Sequence, residues 1–323
     1  MKYILRKLIY LFLTAWSALT IDFILPRLMP GNPAQIMIAK YKGTLGPQAL
    51  QSLETAFGIN VHQNIFLQYF SYLYRTVTGN FGISLTYYPS TVMSMISGAI
   101  PWTIGLVGVS TIIAFVLGTL IGINSAWKRE SFISNISVPI SIFFNSMPYF
   151  WFALLLEYFV AYLLGWFPLT GAFSAQMSGF AFISSVLYHA ILPATTIIVT
   201  AFGGWILTMR NNMINVLSED YIAFAFSQGL PEREIEFNYV ARNAILPNFT
   251  GFAMAIGFVI SGVLLVEMVF SYPGIGYLLY QAVIDLDYPL MNAIFLFIII
   301  AVLIANFIAD MIYVLLDPRI RGE

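Results

Sequence analysis

The residues of this 323-residue chain best suited to chemistry are four carboxylates that lie within or beside long apolar segments, namely Asp22, Glu157, Glu267 and Asp310. An ionised carboxylate inside a bilayer is costly, so such residues usually face a cavity, a pathway or a hydrogen-bonding partner. Glu267 and Asp310 lie near segment ends, where a pathway mouth, an inter-helix hydrogen bond and simple interfacial placement all stay open. Glu157 lies deep in its segment and is the better candidate for lining a pore. Asp22 matches no pattern that assigns it a role.

Motifs for enzymatic chemistry are missing from the sequence. None of the five lysines follows a glycine, which excludes a Walker A phosphate-binding loop. The sequence has neither His-Glu-x-x-His nor Gly-x-Ser-x-Gly, and the absence of cysteine excludes disulfides and thiolate metal sites. The lone His62 and His189 are interpreted as structural residues. Basic residues are few and scattered, so nothing suggests nucleic acid. We expect no enzyme activity, no metal and no cofactor on this chain.

The elements that must position the carboxylates are membrane-spanning helices. Hydrophobic residues make up 59% of the chain and charged residues 9%, with a mean hydropathy of +0.84, whereas soluble domains carry about 25% charged residues. The apolar blocks approach the roughly 20 residues that cross a bilayer. The sequence predicts an all-α integral membrane protein with six transmembrane helices: Leu8–Leu28, Ala99–Trp127, Ile133–Gly165, Val186–Met209, Phe249–Phe270 and Leu290–Leu316. The third is long for one crossing, and we expect it to tilt or to end before Gly165.

The distribution of basic residues predicts the orientation. With a cytoplasmic N-terminus, ten lysines and arginines lie inside: Lys2, Arg6, Lys7, Lys128, Arg129, Arg210, Arg233, Arg242, Arg319 and Arg321. The outer four are Arg27, Lys40, Lys42 and Arg75, all in or beside one long loop, which carries little topological weight. We therefore expect a multi-pass protein of the cell membrane with both termini cytoplasmic.

The long loop after the first span is predicted to form a small extracytoplasmic helical cap, so residues 1–98 hold the first helix and the cap. Residues 99–316 form a five-helix core, and residues 317–323 a cytoplasmic tail. Helical spacing predicts two amphipathic cap helices. The first contains Leu50, Leu53 and Phe57 and stops at Gly58; the second ends near Gly79 and contains Ile65, Phe66, Tyr69, Phe70 and Leu73. A structural lid and a contact with an external partner are both open.

A polar interruption between the fourth and fifth spans, residues 218–247, is predicted to form a helical hairpin. Ser218 is able to cap the first helix, and Gly229 is able to end it in a left-handed conformation. Pro231 suits the first position of the second helix. The first helix is apolar nearly all round, which favours cover on two faces. Either the hairpin folds only on itself, or one face, carrying Tyr221, Phe224, Ala225 and Gln228, binds a partner while Ile222 and Phe226 cover another side.

In the fifth span, Ala253, Gly257 and Ser261 form a stripe of small residues at a spacing of four. Such a stripe permits close approach of a second helix. Packing within one subunit and a position at a pore, against a second subunit, are both open.

Several short motifs then occur in a fixed order along nearly the whole chain. The hairpin carries Asp220-Tyr221-Ile222, Ala225, Gly229-Leu230, Arg242-Asn243-Ala244 and Leu246-Pro247. These motifs, together with those given below, resemble permease subunits of binding-protein-dependent ABC importers. The branch that they resemble best is the dipeptide/oligopeptide/nickel branch. With its predicted cap directly after the first span, the chain is similar to the B-type subunit. The further motifs are Arg6-Lys7-Leu8, Pro30-Gly31-Asn32-Pro33, Phe57-Gly58-Ile59-Asn60, Gly79-Asn80-Phe81-Gly82-Ile83-Ser84, Glu267-x-x-Phe270-x-x-Pro273-Gly274-Ile275-Gly276, Asp287-Tyr288-Pro289 and Asp317-Pro318-Arg319-Ile320-Arg321.

The resemblance implies a set of partners and a role for each motif. The partners are a second, C-type permease subunit, two ATPase subunits that hold ATP and Mg²⁺, an extracytoplasmic binding protein and membrane lipid. The residues implied to dock onto an ATPase subunit are Asp220, Tyr221, Phe224, Ala225, Gln228, Gly229 and Leu230. Those implied to build the coupling loop are Pro231, Arg242, Asn243, Leu246 and Pro247. Those assigned to the pore or the permease–permease interface are Glu157, Ala253, Gly257, Ser261 and Glu267. Those assigned to contact with the binding protein are Pro273, Gly274, Gly276 and Asp287.

The chain departs from the family pattern in the docking helix. Ala223 stands where the broad motif has glutamate, and Phe226 and Gln228 stand where the peptide branch often carries basic residues. We therefore expect a docking contact that is more apolar and less electrostatic than usual. Members of the branch carry peptides, nickel complexes or oligosaccharides, and the sequence does not choose among them. An ion-coupled secondary transporter is the alternative of another class.

Overall fold

The computed structural model describes residues 2–28, 64–84, 86–174, 177–261 and 263–316. Within these ranges the regular structure is helical, apart from one antiparallel bridge between Ile83 and Thr91. The predicted all-α class is confirmed. The first predicted cap helix, with Leu50, Leu53 and Phe57, lies outside the described residues, as do His62 and the tail 317–323.

The helices follow the chain in an order that we number from the N-terminus. α8 is continuous but changes character: Glu232–Glu234 is α-helical, Ile235–Ala241 forms a π-helical turn and Arg242–Gly257 is again α-helical. The helices are α1 (Lys2–Leu28), α2 (Ile65–Val77), α3 (Val92–Trp127), α4 (Phe132–Ser146), α5 (Tyr149–Leu163), α6 (Gly179–Leu217), α7 (Asp220–Ser227), α8 (residues 232–257), α9 (Leu264–Val269), α10 (Ile275–Ile284) and α11 (Tyr288–Leu316).

Among the described residues, three helices are long and apolar enough to cross a membrane: α3, α6 and the part Tyr288–Ile308 of α11. α4 and α5 together pass the same test as one broken span. The apolar stretch Ile9–Ile24 of α1 is shorter. The chain is therefore a multi-pass helical protein, and the count of six spans stays a prediction.

Two predicted spans are not continuous helices. The third bends by 99° between α4 and α5, because Met147 is extended before Pro148, which offers no N–H to continue the helix. The fifth ends as an α-helix at Gly257, passes through the 3₁₀ turn Phe258–Ser261 and resumes as α9. Neither predicted span is therefore a single unbroken helix.

Small residues bring the long helices together. α3 packs along α6 at Gly118 and Gly122: a Cβ built on Gly118 would lie 2.5 Å from the Cβ of Trp205, and one on Gly122 would lie 2.8 Å from the carbonyl oxygen of Ile206. Real Cβ atoms do not approach so closely, so the α3–α6 contact depends on these glycines.

A helix, α2, lies where the second cap helix was predicted; it begins after Asn64 and ends before Gly79, and its place in an extracytoplasmic cap stays a prediction. Its inner side packs on α1. The Tyr72 hydroxyl donates to Asp22 Oδ2 at 2.7 Å, and the ring of Tyr69 meets the ring of Phe23 edge-on with centroids 5.1 Å apart. Asp22, which the sequence left without a role, is buried at this junction between the first helix and the cap.

Candidate docking hairpin and buried carboxylates

The first helix of the hairpin, α7, spans Asp220–Ser227, and the residue before it, Glu219, is extended. The prediction that Ser218 caps this helix is wrong. Ser218 ends α6 instead, where its hydroxyl donates to the carbonyl of Asn215 at 2.7 Å. The hairpin therefore leaves the long helix α6 through a connection of only two residues.

The turn between the two hairpin helices is built as predicted at Gly229. Its φ is +70°, in the left-handed region that favours glycine, and its N–H donates to the carbonyl of Phe226 at 3.0 Å. A Cβ at Gly229 would meet nothing within 4 Å, so the requirement for glycine is conformational. Pro231 precedes the first helical residue of α8, one position earlier than predicted, and its carbonyl accepts from the N–H of Glu234 at 2.9 Å.

One face of α7 packs into the protein's own core. Ile222 is 1% exposed and Ala225 is 3% exposed. They belong to a cluster whose other members come from three helices: Ile123 and Ala126 of α3, Met209 and Met213 of α6, and Ile235, Val240, Ala241 and Ala244 of α8. Ala225 was predicted to contact a partner; it instead seats α7 on the chain itself, because it shares a helix face with Ile222.

The opposite face of α7 is open and aromatic. Tyr221 is 43% exposed and Phe224 is 64% exposed, and the side chains of Asp220 and Gln228 are also exposed. The side-chain amide of Asn243 donates to the Tyr221 hydroxyl at 3.2 Å and to the carbonyl of Tyr239 at 2.7 Å. Asn243 of α8 thus holds Tyr221 in place, which agrees with its predicted structural role. Two large exposed aromatic groups on one helix face are typical of a protein interface.

The remaining predicted hairpin residues lie around this turn. Leu230 is half-buried beside the cluster. Pro231 and Arg242 are exposed, and Leu246 and Pro247 lie exposed within the continuous helix α8. Burial raises the pKa of the Glu236 carboxyl, while Lys128 and Arg233 act in the opposite direction.

Glu267 is fully buried and accepts hydrogen bonds from two parts of the chain. The Thr103 hydroxyl donates to its Oε1 at 2.8 Å, and the N–H groups of Gly276 and Tyr277 donate to its Oε2 at 2.7 Å and 3.2 Å. The N–H of Ile275 donates to Thr103 Oγ1 at 2.7 Å. Glu267 and Thr103 together satisfy the free N–H groups that begin α10, where a negative charge is also favourable. Of the predicted alternatives for Glu267, the inter-helix hydrogen bond matches this geometry; an exposed pathway position does not.

Gly274 and Gly276 are needed for Glu267 to reach α10. A Cβ on Gly274 would lie 2.4 Å from the Glu267 carboxylate, and one on Gly276 would lie 2.6 Å from the Cα of Leu264. Both glycines are buried, and Pro273 is half-buried. Direct contact of Gly274 and Gly276 with a binding protein does not agree with this burial, and of these three residues only Pro273 keeps that prediction.

Asp287 joins the end of the cap to α11. The Ser84 hydroxyl donates to its Oδ2, and the N–H of Thr86 donates to the same oxygen at 3.0 Å. Its Oδ1 accepts from the N–H of Leu290 at 3.2 Å in the first turn of α11. Asp287 is fully buried, so its predicted contact with a binding protein is corrected to an internal one. No pattern in the sequence indicates that Ser84 and Asp287 meet.

The other residues predicted for the pore lie in α5, in α8 and in the 3₁₀ turn that follows α8. Glu157 is half-buried at the start of a π-helical turn in α5, and Ala253 is half-buried in α8. A Cβ on Gly257 would lie 2.2 Å from the Cβ of Ala305 in α11, so packing within one subunit, the first alternative for the stripe, holds at Gly257. Ser261 ends the 3₁₀ turn after α8. The Nδ1 atom of His189 lies 2.8 Å from the carbonyl oxygen of Ser185, which agrees with a structural role.

Comparison with known proteins gives a family and relatives that match over nearly their full length. Residues 118–322 match the family described as binding-protein-dependent transport system inner membrane component. The chain is 31% identical to the oligopeptide transport system permease protein AppB of Bacillus subtilis, with 99% of each chain covered. It is 30% identical to the di/tripeptide transport system permease protein DppB of Pseudomonas aeruginosa, covering 100% of this chain and 99% of the other.

Among solved structures, the fold is similar to a chain from inward facing conformations of the MetNI methionine ABC transporter. The TM-score is 0.54 at 17% identity, and the likeness covers 70% of this chain and 97% of that chain. At this identity the likeness concerns the fold alone.

Proposed function

The chain belongs to the family of binding-protein-dependent transport system inner membrane components, and we propose that it is the permease subunit of an ATP-driven importer for peptides. In this proposal an external binding protein delivers the peptide, and separate ATPase subunits supply the energy. The full-length similarity to permeases of oligopeptide and di/tripeptide transport systems supports peptides as the substrate class. Oligosaccharides or a nickel complex are the alternative cargo.

The two-faced helix α7 is the observation that carries the coupling part of the proposal. Its inner face, Ile222 and Ala225, is fixed in the protein's own core, while Tyr221 and Phe224 are exposed on the other face. A helix held on one side and apolar on the other suits a rigid contact with another protein. The ATPase subunit binds this outer face, and ATP-driven closure of the ATPase pair moves α7 as a unit. Gly229 fixes the angle between α7 and α8, so that this movement reaches the spans.

The proposed assembly contains one C-type permease subunit, two ATPase subunits and the binding protein. The chain crosses the cell membrane six times with both termini in the cytoplasm, an orientation that the short loops favour through their lysines and arginines. ATP and Mg²⁺ are bound by the ATPase subunits. On the outer side, half-buried Pro273 is the proposed contact with the binding protein, above the turn that Glu267 stabilises.

Transport in reconstituted vesicles tests the function. The full complex is placed in proteoliposomes with the binding protein and a labelled peptide, and uptake is measured with ATP inside, with and without a protonophore. Uptake that requires ATP and is unaffected by the protonophore is expected. Uptake abolished by the protonophore would support the ion-coupled secondary transporter instead. If the binding protein binds an oligosaccharide or a nickel complex but no peptide, only the proposed substrate class is overturned.

A further inference from the structure

A stacked aromatic pair joins the docking helix to a helix that is distant in the chain. The rings of Trp127, the last residue of α3, and Phe226 of α7 lie with centroids 6.3 Å apart and planes 16° from parallel. We propose that this pair is a positioning contact through which movement of α7 reaches α3; the inference rests on the proposed function. Phe226 is one of the positions where the chain departs from its family's pattern.

The polypeptide chain itself connects α7 only to α6 and α8, its neighbours in the sequence. Two residues join it to α6, and the turn at Gly229 joins it to α8. The last turn of α3 already borders the inner face of α7, because Ile123 and Ala126 belong to the cluster that holds Ile222 and Ala225. The stack places a second, aromatic contact beside that cluster, at the point where α3 ends.

The end of α3 is in turn tied to the next helix. The hydroxyls of Ser125 and Ser137 lie 2.8 Å apart, and the hydroxyl of Ser134 donates to the carbonyl of Ser125 at 3.1 Å. A displacement of Trp127 therefore acts on both α3 and α4. If movement of α7 reached the spans only through α6 and α8, then α3 and α4 would lack this direct aromatic link to α7.

The surroundings of the pair argue against a role in core packing alone. Trp127 and Phe226 border an open cleft of about 680 Å³. The Phe226 side chain is 48% exposed, so its ring adds little to the core, whereas Trp127 is half-buried against the cluster that holds Ile222 and Ala225. Phe226→Ala is therefore expected to remove the contact at little cost in folding stability, whereas Trp127→Ala also removes packing against that cluster. The other residues that line the cleft are Ala126, Lys128, Arg129, Glu130, Ser131, Leu217 and Glu232.

The test compares transport with ATP hydrolysis in proteoliposomes that contain the whole complex. The variants are Trp127→Ala, Phe226→Ala and the double variant, with Phe226→Tyr as the conservative change. Phe132→Ala removes an exposed aromatic ring at the start of α4 and is the matched control. Thermal unfolding and co-purification of the ATPase subunit are measured for each.

Each single alanine variant is expected to lower the number of peptides moved per ATP by roughly two- to tenfold, from the strength of an aromatic pair. The double variant should lose no more than either single variant, and Phe226→Tyr and Phe132→Ala should stay near wild type. ATPase binding should not change in any variant, and the thermal stability of Phe226→Ala should stay near that of wild type. An unchanged ratio, additive losses in the double variant, or losses that follow weaker ATPase binding would each overturn the inference. If the wild-type chain binds no ATPase subunit, the proposed function itself fails.

Discussion

The Thr103 hydroxyl donates a 2.8 Å hydrogen bond to Glu267 Oε1 across 164 residues of sequence. The other oxygen of the same carboxylate accepts from two N–H groups at the start of α10. A single side chain therefore connects α3, α9 and α10 on the side of the protein proposed to face outwards. Glu267 is therefore primarily a structural residue, and its replacement should lower the stability of the folded protein.

Glu267→Gln is expected to lower the thermal stability of the purified subunit. The amide keeps one accepting oxygen, so either the Thr103 hydroxyl or the N–H groups of Gly276 and Tyr277 lose their partner in the buried site. An unsatisfied buried polar group costs about 1–3 kcal/mol. Thermal unfolding in detergent measures the change, and Glu157→Gln, at a half-buried carboxylate, is the control. An equal unfolding temperature for wild type and Glu267→Gln would contradict this role.

Gly274→Ala should be at least as damaging, for a steric reason. The added methyl group would lie 2.4 Å from the Glu267 carboxylate, and that side chain is held by three hydrogen bonds and has no freedom to move aside. We expect lower yield of folded protein in the membrane and a lower unfolding temperature. Gly98→Ala is the matched change, because nothing lies within 4 Å of a Cβ there. Equal yields and unfolding temperatures for Gly274→Ala and Gly98→Ala would show that the turn accommodates the added methyl group.

Gly229→Val is expected to leave the chain in the membrane but to uncouple ATP hydrolysis from transport. A left-handed conformation costs an L-residue about 1–2 kcal/mol, and a β-branched residue adopts it least readily. Gly229→Asn should be milder, since asparagine tolerates this conformation. Peptide uptake per ATP hydrolysed, with membrane content as the reference, is the measurement. Normal uptake and normal ATPase binding in Gly229→Val would remove Gly229 from the coupling mechanism.

The proposed contact between α7 and the ATPase subunit should survive high salt. In about 1 M salt, charges interact over only about 3 Å, but the outer face of α7 is dominated by Tyr221 and Phe224. Retention of the ATPase subunit on the immobilised permease during a salt wash measures this. Phe224→Ala should weaken retention at every salt concentration, whereas Asp220→Asn should have little effect. Release of the wild-type ATPase by salt alone would indicate an electrostatic contact.

Local patterns predicted the parts of this structure that local interactions determine. The spacing of Tyr69 and Leu73 predicted α2, and Gly229 predicted the turn of the hairpin, because helix periodicity and left-handed backbone are properties of a short segment. Prolines show the limit: Pro148 marks a 99° bend, yet Pro139 and Pro193 lie inside helices. Which of them breaks a helix depends on the packing around it.

The roles of the polar residues depended on distant partners and could not be read from the sequence. Glu267 meets Thr103, and Asp287 meets Ser84, across 164 and 203 residues. Ala225 was placed on the wrong face of α7 because a short helix that is apolar nearly all round does not indicate which side faces the core. The stack of Phe226 on Trp127 left no pattern in the sequence.

Cross-linking from single cysteines tests the central claim, that the outer face of α7 binds the ATPase subunit. The chain has no cysteine of its own, so Phe224→Cys provides one reactive thiol at a position that is 64% exposed. The thiol is labelled with a maleimide photo-cross-linker, and the full complex is reassembled and irradiated. Val77→Cys, at an exposed position in α2 proposed to face outwards, is the control. The account predicts an adduct with the ATPase subunit from position 224 and none from position 77. An intact complex that gives no ATPase adduct from position 224, or gives the same adduct from both, would contradict it.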